Sequence, residues 1–590
     1  MEPNAASQAS PWRVRSADLG QLQALSAASL PPLLEQLLSL RGIATADAAK
    51  RFLEPALRDL PDPWLLKDCQ RAAEIVADAL QAGKTICIYG DYDADGISAA
   101  ALLHCVLREL GGGDNVQVFL PDRIKDGYGL NGERLAELLD RGAELFVSVD
   151  CGATAWQEVA AVRARGGQFV VIDHHTLGQT PVVADAFVNP KQTGCDYTDP
   201  HLSAVGLAFV VAQGLRRVLA GRGVQRAAQF DLKTVLEFAA LGTVADVVQL
   251  KDVNRTLVWH GLRRLGTTAR PGIRALARHL PLGGVQSDRI GFQLAPKINA
   301  AGRIADAHTA FRLLVTADPQ VGEDLAAQLD VENNRRKDMT LEVTRQALAQ
   351  AQALPCCDHA VVVAGRDWHQ GVVGIAAAKL AEQLGVPAIA LAIDADGMAR
   401  GSARSAHGYD LVEGLRRISS GLFERFGGHA YAAGMTLRAD RVPELYQRLR
   451  DDAAQHLPPL PRSSELLLDA ELPLDQLDLE LVALLERLEP YGKGNAKPLF
   501  LIRDLELAKF DRVGKDQQWM RGVLAVPGTQ PLYARAKVDC FGPASAFAGL
   551  MRGQRVDAAG SVDRNVWQGK HSVQLRVEAM RPASANREGP

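Results

Sequence analysis

Absences narrow the reading first. The eight cysteines include no C-x-x-C pair, and several stand inside apolar runs as small buried residues do. A disulfide-stapled fold is therefore not expected, and a reduced, cytoplasmic setting is. Nor is there a global basic excess: the formal charge is −3 and the sequence pI about 6.5. Any nucleic-acid-binding surface must be local. No apolar run reaches membrane-spanning length free of charges, and the opening MEPNAASQASPW carries no basic stretch ahead of an apolar core. A soluble protein without membrane partner or signal peptide is expected. Internal repeats and low-complexity tracts are missing too, so the 590 residues are expected to form three or four ordinary domains.

What is present begins with KTICIYGDYDADGISAALLH, residues 84–103, where Asp91, Asp93 and Asp95 alternate ahead of Gly96. The spacing D-x-D-x-D-G also opens a calcium EF-hand loop, which needs a helix in front and a bidentate Glu at loop position 12. Position 12 is Leu102, and TICIYG reads as a short buried strand. The calcium loop fails on both counts.

Residues 85–190 alternate apolar strands with helical stretches: TICIYG, VQVFLP, LFVSVD, FVVID and AFVNP. That alternation predicts a parallel sheet with helices on both faces. Asp91, Asp122, Asp150 and Asp173 stand where strands stop, at the edge where open α/β sheets bind ligands. A lone strand-end Asp is ordinarily a turn or cap residue, and Asp122 is left at that. Residues 320–353 predict a long connecting helix, and AVVVAG with PAIALAI a second α/β unit. HLPPLPRSS reads as a linker, and 465–583 as a small β-barrel. The expected divisions are an N-terminal segment to 50, a catalytic domain over 51–315, a connecting helix over 316–355, a second α/β domain over 356–458 and a barrel with its tail over 459–590.

VIDHHT places His174 and His175 directly after a strand, and LGTVADVVQL sets Asp246 in a small, apolar run. Imidazole and carboxylate together suit Mn²⁺ well but do not exclude Mg²⁺, Fe²⁺ or Zn²⁺. Several carboxylates converging on one point repel one another unless cations hold them, which argues for two ions. Such a pair of ions clamps both oxygens of an in-line phosphoryl displacement.

DYDADG, VDCG, DHH and GTVADVV together resemble the four motifs of the DHH phosphoesterase superfamily. APKINAAGRI, WHQGVVGIAAAKL, GSARS, GGHAYAAG and LEPYGKGNAKPLF are similar to the bacterial RecJ exonucleases within it. The resemblance covers roughly residues 40–500 in recognisable motifs and runs more loosely to the end, with Lys297 where an arginine is expected and Ile304 where a methionine is. It implies two α/β domains, a DHH catalytic domain and a DHH-associated domain, joined by a long helix and followed by an OB-like barrel. It implies metal ligation by Asp93, Asp95, Asp150, His174 and Asp246, with Asp150 shared between two Mn²⁺ or Mg²⁺ ions. Asp91, His175 and Arg303 are the implied catalytic groups, Asp91 as ligand or orienter and His175 facing a phosphate oxygen. Arg303, Ser402, Arg404, Gly428 and His429 would bind the DNA backbone and its 5′ end.

The residues support phosphate binding on their own. Gly401 permits close approach, Ser402 supplies a donor and Arg404 a bidentate fork. Gly427 and Gly428 would turn backbone N–H groups toward an anion, with His429 beside them. DWHQG reads equally as a helix cap. Between 499 and 583, thirteen basic residues face eight acidic ones, with Trp519, Tyr533 and Trp567 among them. Basic grooves with aromatic platforms hold single strands on OB-folds.

The expected activity is 5′→3′ exonucleolytic degradation of single-stranded DNA to mononucleotides in repair and recombination. Its direction rests on the resemblance alone, as do single-stranded DNA-binding protein and a RecQ-type helicase as partners. Two rivals stand beside it: a DHH phosphodiesterase acting on short oligonucleotides or cyclic dinucleotides, and a non-catalytic strand-binding scaffold. The β-rich tail argues against the first, and the intact set of matched ligands against the second.

Overall fold

Ile86–Gly90 (β1) is buried at every position, because both faces of its sheet are covered. Cys87 and Tyr89 pack on one side with Phe146 and Phe169. β1 pairs in parallel with Val116–Phe119 (β2) and with Leu145–Val149 (β3), which continues through Gln168–Ile172 (β4) to Ala186–Val188 (β5). The order β2-β1-β3-β4-β5 reverses the chain's direction of travel between β1 and β3. A crevice forms at such a reversal, beyond the carboxyl ends of the strands. Asp91 follows β1 and Asp150 follows β3, so sheet topology alone brings them to that crevice. This computed structural model describes residues 11–280, 285–354, 358–457, 465–514, 517–528 and 537–583.

Ala94–Leu107 (α1) leaves β1 and is buried around most of its circumference. It packs against Ala204–Gly221 (α2) and Leu236–Ala245 (α3). α2 has the length and hydropathy of a membrane span, yet 67% of it is buried inside the protein. Its apolarity is that of a core helix. Ala295–Ile304 (α4) packs on Pro319–Gln352 (α5), a continuous helix of 34 residues capped by Asp318. At 1.5 Å per residue it runs about 50 Å. The expected connecting helix is there.

The second sheet is mixed. Val361–Gly365 (β6) and Ala388–Ile393 (β7) are parallel, while Met398–Arg404 (β8), Arg425–His429 (β9) and Ala432–Arg438 (β10) complete the order β9-β10-β8-β7-β6 by antiparallel pairing. Gln370–Leu384 (α6) covers one face, and α5 packs on α6.

These elements belong to a compact unit drawn from residues 61–248 and 257–462; a second unit combines 1–60, 249–256 and 463–590. In the second unit Ala470–Glu471 (β11) adds to Phe500–Val513 (β12), followed by Trp519–Ala525 (β13), Lys537–Pro543 (β14), Arg555–Trp567 (β15) and Lys570–Pro582 (β16). The order β11-β12-β13-β14-β16-β15, with β15 pairing back to β12, closes a five-stranded barrel. Its core includes Leu34, Leu37 and Leu38 from the N-terminal helix Pro32–Ser39 alongside Leu485, Phe500 and Leu575. Trp12–Val14 adds in parallel to Leu466–Leu468.

Candidate metal centre and phosphate-binding cluster

The carboxylates are placed by helix starts and strand ends. Asp93 caps α1, its Oδ1 accepting from Asp95 N at 2.9 Å and Gly96 N at 3.1 Å. Asp95 is buried against the first turn of α2 and accepts from Ala204 N at 2.7 Å and Val205 N at 3.0 Å. Helix N-termini favour an anion there. Asp246 terminates α3. Two glycines let these elements close up. A Cβ on Gly242 of α3 would lie 2.6 Å from Asp95 Oδ1, and one on Gly302 of α4 would lie 2.0 Å from Tyr92 O.

The histidine pair arrives from the other side. His174 Nε2 lies 3.2 Å from Asp150 Oδ1 and 3.7 Å from Asp246 Oδ2. Asp173 Oδ1 is 2.7 Å from His175 Nδ1, and Asp173 also accepts from His175 N and Ala153 N. Three groups of ligand atoms result, each within 4.8 Å: Asp150, Asp173, His174 and His175; Asp95, His174 and Asp246; Asp91, Asp93 and Asp150. Asp150 is common to two of them, and so is His174.

Charge crowding is severe. Burial, then Asp93, pushes the Asp91 carboxyl up to about 8. Asp150 is raised well above the usual carboxylate range by burial and then by Asp93, Asp95, Asp91 and Asp246. His174 is lowered to about 4 by burial and by His175, which keeps its imidazole neutral as a ligand must be. Burial would depress His175 as well, but its hydrogen bond and charge pairing with Asp173 outweigh that and raise it to about 9. Asp91 Oδ1 and Asp150 Oδ1 are buried and accept no hydrogen bond. Buried acceptors without donors, beside oxygen and imidazole ligands, fit divalent cations such as Mn²⁺ or Mg²⁺.

A cationic cluster lies beside the carboxylates. Arg303, in the last turn of α4, reaches Gly371 O at 3.3 Å. Burial, and then Arg123 with Arg336 and Arg404, lowers it to about 10, opposed by Asp93. Arg404 is lowered too, by burial and then Arg123. Like charges held this close call for an anion. Ser402 and Arg404 on β8 both face Gly374 of α6, where a Cβ would come within 3.1 Å of Ser402 Oγ and 3.3 Å of Arg404 Nη2. Gly428 and His429 end β9, on the hairpin whose returning strand pairs Ala432 with Arg404. His369 caps α6, accepting from Gly371 N at 3.0 Å, so in DWHQG the helix-cap reading is the one found.

Comparison with known proteins decides the family. Three family models match: DHH family, N-terminal domain over 85–243, DHHA1 domain over 358–455 and RecJ OB domain over 468–579. The single-stranded-DNA-specific exonuclease RecJ of Dickeya dadantii is 35% identical over 94% of this chain and 96% of its own. That of Bacillus subtilis is 33% identical over 96% of this chain and 70% of its own. The crystal structure of RecJ in complex with Mn²⁺ from Thermus thermophilus superposes with a TM-score of 0.81 at 31% identity, covering 98% of this chain and 80% of that one. The chain belongs to the RecJ family.

In this RecJ-family protein the barrel carries a third feature. Strand pairing sets Arg521 opposite Phe541 and Ala525 opposite Lys537. Trp519 and Arg521 share the outward face of β13, and Trp519 stacks on Phe541 with ring centroids 5.1 Å apart. Trp567 is 71% exposed at the end of β15. Tyr533 lies outside the described residues. Many basic residues are already paired: Arg503 with Glu471, Arg555 with Asp504, Arg564 with Glu486, Arg576 with Asp563 and Arg581 with Asp557.

The sequence reading missed several groups of the RecJ-family site. Tyr128 OH lies 3.2 Å from His175 Nε2, Arg123 sits over the Tyr92 ring at 4.2 Å, and Asn299 accepts from Ala94 N at 2.8 Å. All three contacts join segments distant in sequence. Asn299 alone had a signal, standing inside the APKINAAGRI stretch. Asp122, left as a turn residue, makes one, accepting from Ile124 N at 2.8 Å.

Proposed function

We propose that the protein is a divalent-cation-dependent exonuclease that degrades single-stranded DNA from its 5′ end to mononucleotides. The carrying observation is the buried acid–histidine cluster at the sheet's reversal point, flanked by arginines that depress one another. Asp91, Asp93, Asp95, Asp150, His174 and Asp246 would hold two ions of Mn²⁺ or Mg²⁺, with Asp150 shared. When bound, such ions supply Lewis acidity and lower the pKa of water.

The chain's own residues do the rest. Asp173 fixes the His175 ring through Nδ1, and Nε2, which lies 3.2 Å from Tyr128 OH, is the nitrogen that would meet a phosphate oxygen. Arg303, Arg404 and Ser402 bind phosphate oxygens, and Gly428 and His429 extend that contact along the backbone. A bound phosphate relieves the mutual repulsion of the arginines, so the strand end is held where charge is already in excess. The Trp519–Phe541 face, with Arg521 and Lys537, supports a reading in which the barrel stacks and tracks the incoming single strand. Work in repair and recombination, in the cytoplasm, with single-stranded DNA-binding protein and a RecQ-type helicase as partners, belongs to the same reading.

The test supplies 5′- and 3′-labelled single-stranded and duplex DNA with Mn²⁺. The expected result is early release of labelled mononucleotide from 5′-labelled single strands and progressive shortening of 3′-labelled ones. Early release of the 3′ label, or equal attack on duplex, would overturn the proposal.

A further inference from the structure

We propose that Asn189 and Lys191 are positioning residues that hold the His174–His175 loop in its working shape. The inference rests on the reading of His174 as a metal ligand and His175 as a substrate-facing group. Adjacent residues of an extended strand point to opposite faces. Here both neighbours turn inward: their ring centroids are 4.6 Å apart, and each lies within 4 Å of Asp150 Oδ1, at 3.2 and 3.8 Å. The backbone must therefore leave the strand conformation at 173, and β4 ends at Ile172. Carbonyls that leave a sheet lose their ladder donors and need others.

Both donors come from one turn after β5. Asn189 Nδ2 donates to His175 O at 3.0 Å, and Lys191 Nζ donates to His174 O. Asn189 is wholly buried, and its Oδ1 accepts from Lys191 N at 2.9 Å, so each residue places the other. Asp173 N donates to Val188 O at 3.0 Å, tying the start of the loop to the same segment. Two consecutive carbonyls are thus pinned from behind while the two rings reach forward. Neither donor touches the carboxylates' ligand groups, so their effect passes through the histidines.

The charge on Lys191 allows the roles to be separated. Its ammonium lies in the field of Asp173 and Asp246. Removing that charge alone would tighten cation binding, whereas loosening the loop would weaken it.

The experiment measures Mn²⁺ binding to the full-length protein by electron paramagnetic resonance of the free ion, together with steady-state kinetics and melting temperature. Asn189→Leu keeps the side-chain volume close and removes the donor without changing charge. It is expected to weaken Mn²⁺ binding about 10–100-fold, lowering kcat and leaving KM for the strand unchanged. Lys191→Met is expected to act in the same direction despite its lost charge, and Lys191→Arg to recover most of the affinity. Lys191 is exposed, so its variants decide the matter if Asn189→Leu does not fold. Folded variants that bind Mn²⁺ as the parent does, or a Lys191→Met that binds more tightly, would overturn the inference alone. A parent that binds no Mn²⁺ would overturn the metal reading and this inference with it.

Discussion

Asp150 stands at the point of greatest conflict, buried among four other carboxylates and in the left-handed backbone region at φ 63°. Asparagine tolerates that conformation and keeps the shape while removing the charge. Asp150→Asn should lower turnover by several orders of magnitude, because the proposed shared ligand is gone. In chelator it should melt no lower than the parent, since one repelling carboxylate is lost, and Mn²⁺ should raise its melting temperature less than the parent's. Undiminished turnover with an undiminished Mn²⁺ shift would sink the two-ion reading. His104, far from any candidate ligand, offers a separate test. Burial, and then Arg108, lowers it to about 4, and its ring meets Phe311 edge-on at 5.3 Å. Its folded pKa lies below the unfolded value near 6.5, so its stabilising share is complete above pH 6.5 and is lost as pH falls through 4. His104→Met should therefore lose less stability than the parent across that window. Solvent screening of a partly exposed ring limits the gap to about 1–2 kcal/mol. Urea unfolding at about pH 7.5 and about pH 4.5 reads it, and parallel losses in both proteins would refute the assignment.

At the level of elements, legibility followed the reach of each signal. β1, β3 and β4 were visible as apolar runs because strands buried on both faces need no alternation. The Asp91–Asp95 triplet announced itself by local spacing, and Asp246 by interrupting a run that is otherwise small and apolar. Arg123 and Tyr128 did not, since their roles depend on a loop folding back over the site. The second sheet was read as α/β from two parallel strands, while its antiparallel strands β8, β9 and β10 lay hidden in the glycine-rich phosphate motifs. Phe541 was passed over because its partner Trp519 is reached only across a strand pair. Glycine spacing concealed a packing rule as well. Gly302 is where α4 crosses the turn between Asp91 and Asp93, with no room for a Cβ beside Tyr92 O. Gly302→Ala should push α4 off that turn, at a cost of about 1–3 kcal/mol, and displace Arg303 in the next position. Activity should fall further than stability alone predicts. A variant with parental kcat and parental unfolding midpoint would show that the helix yields without disturbing the site.

On the scale of the whole molecule, the N-terminal residues 1–60 and the C-terminal residues 463–590 form one compact unit. Deleting the barrel would strip Leu34, Leu37 and Leu38 of their partners, so removal is a poor way to ask what the barrel does. Surface substitution leaves that core intact. Arg521 and Lys537 are exposed and have no acidic partner among the described ion pairs, unlike Arg503, Arg555 or Arg581. If the Trp519–Phe541 face receives the strand, these two cations on it have charge to offer to phosphates. Each phosphate contact takes about 0.7 from the log–log dependence of single-strand affinity on salt. Arg521→Ala with Lys537→Ala should therefore flatten that slope by up to about 1.4. Trp519→Ala should weaken binding by about 1–3 kcal/mol and leave the slope alone, because stacking releases no counterions. Hydrolysis of very short oligonucleotides should persist in all of them, since the metal centre and the arginine cluster lie in the other unit. The measurement is a salt titration of binding to a long single strand with metal omitted. A slope unchanged by the double substitution, together with unchanged affinity for Trp519→Ala, would mean that this face only solvates the barrel.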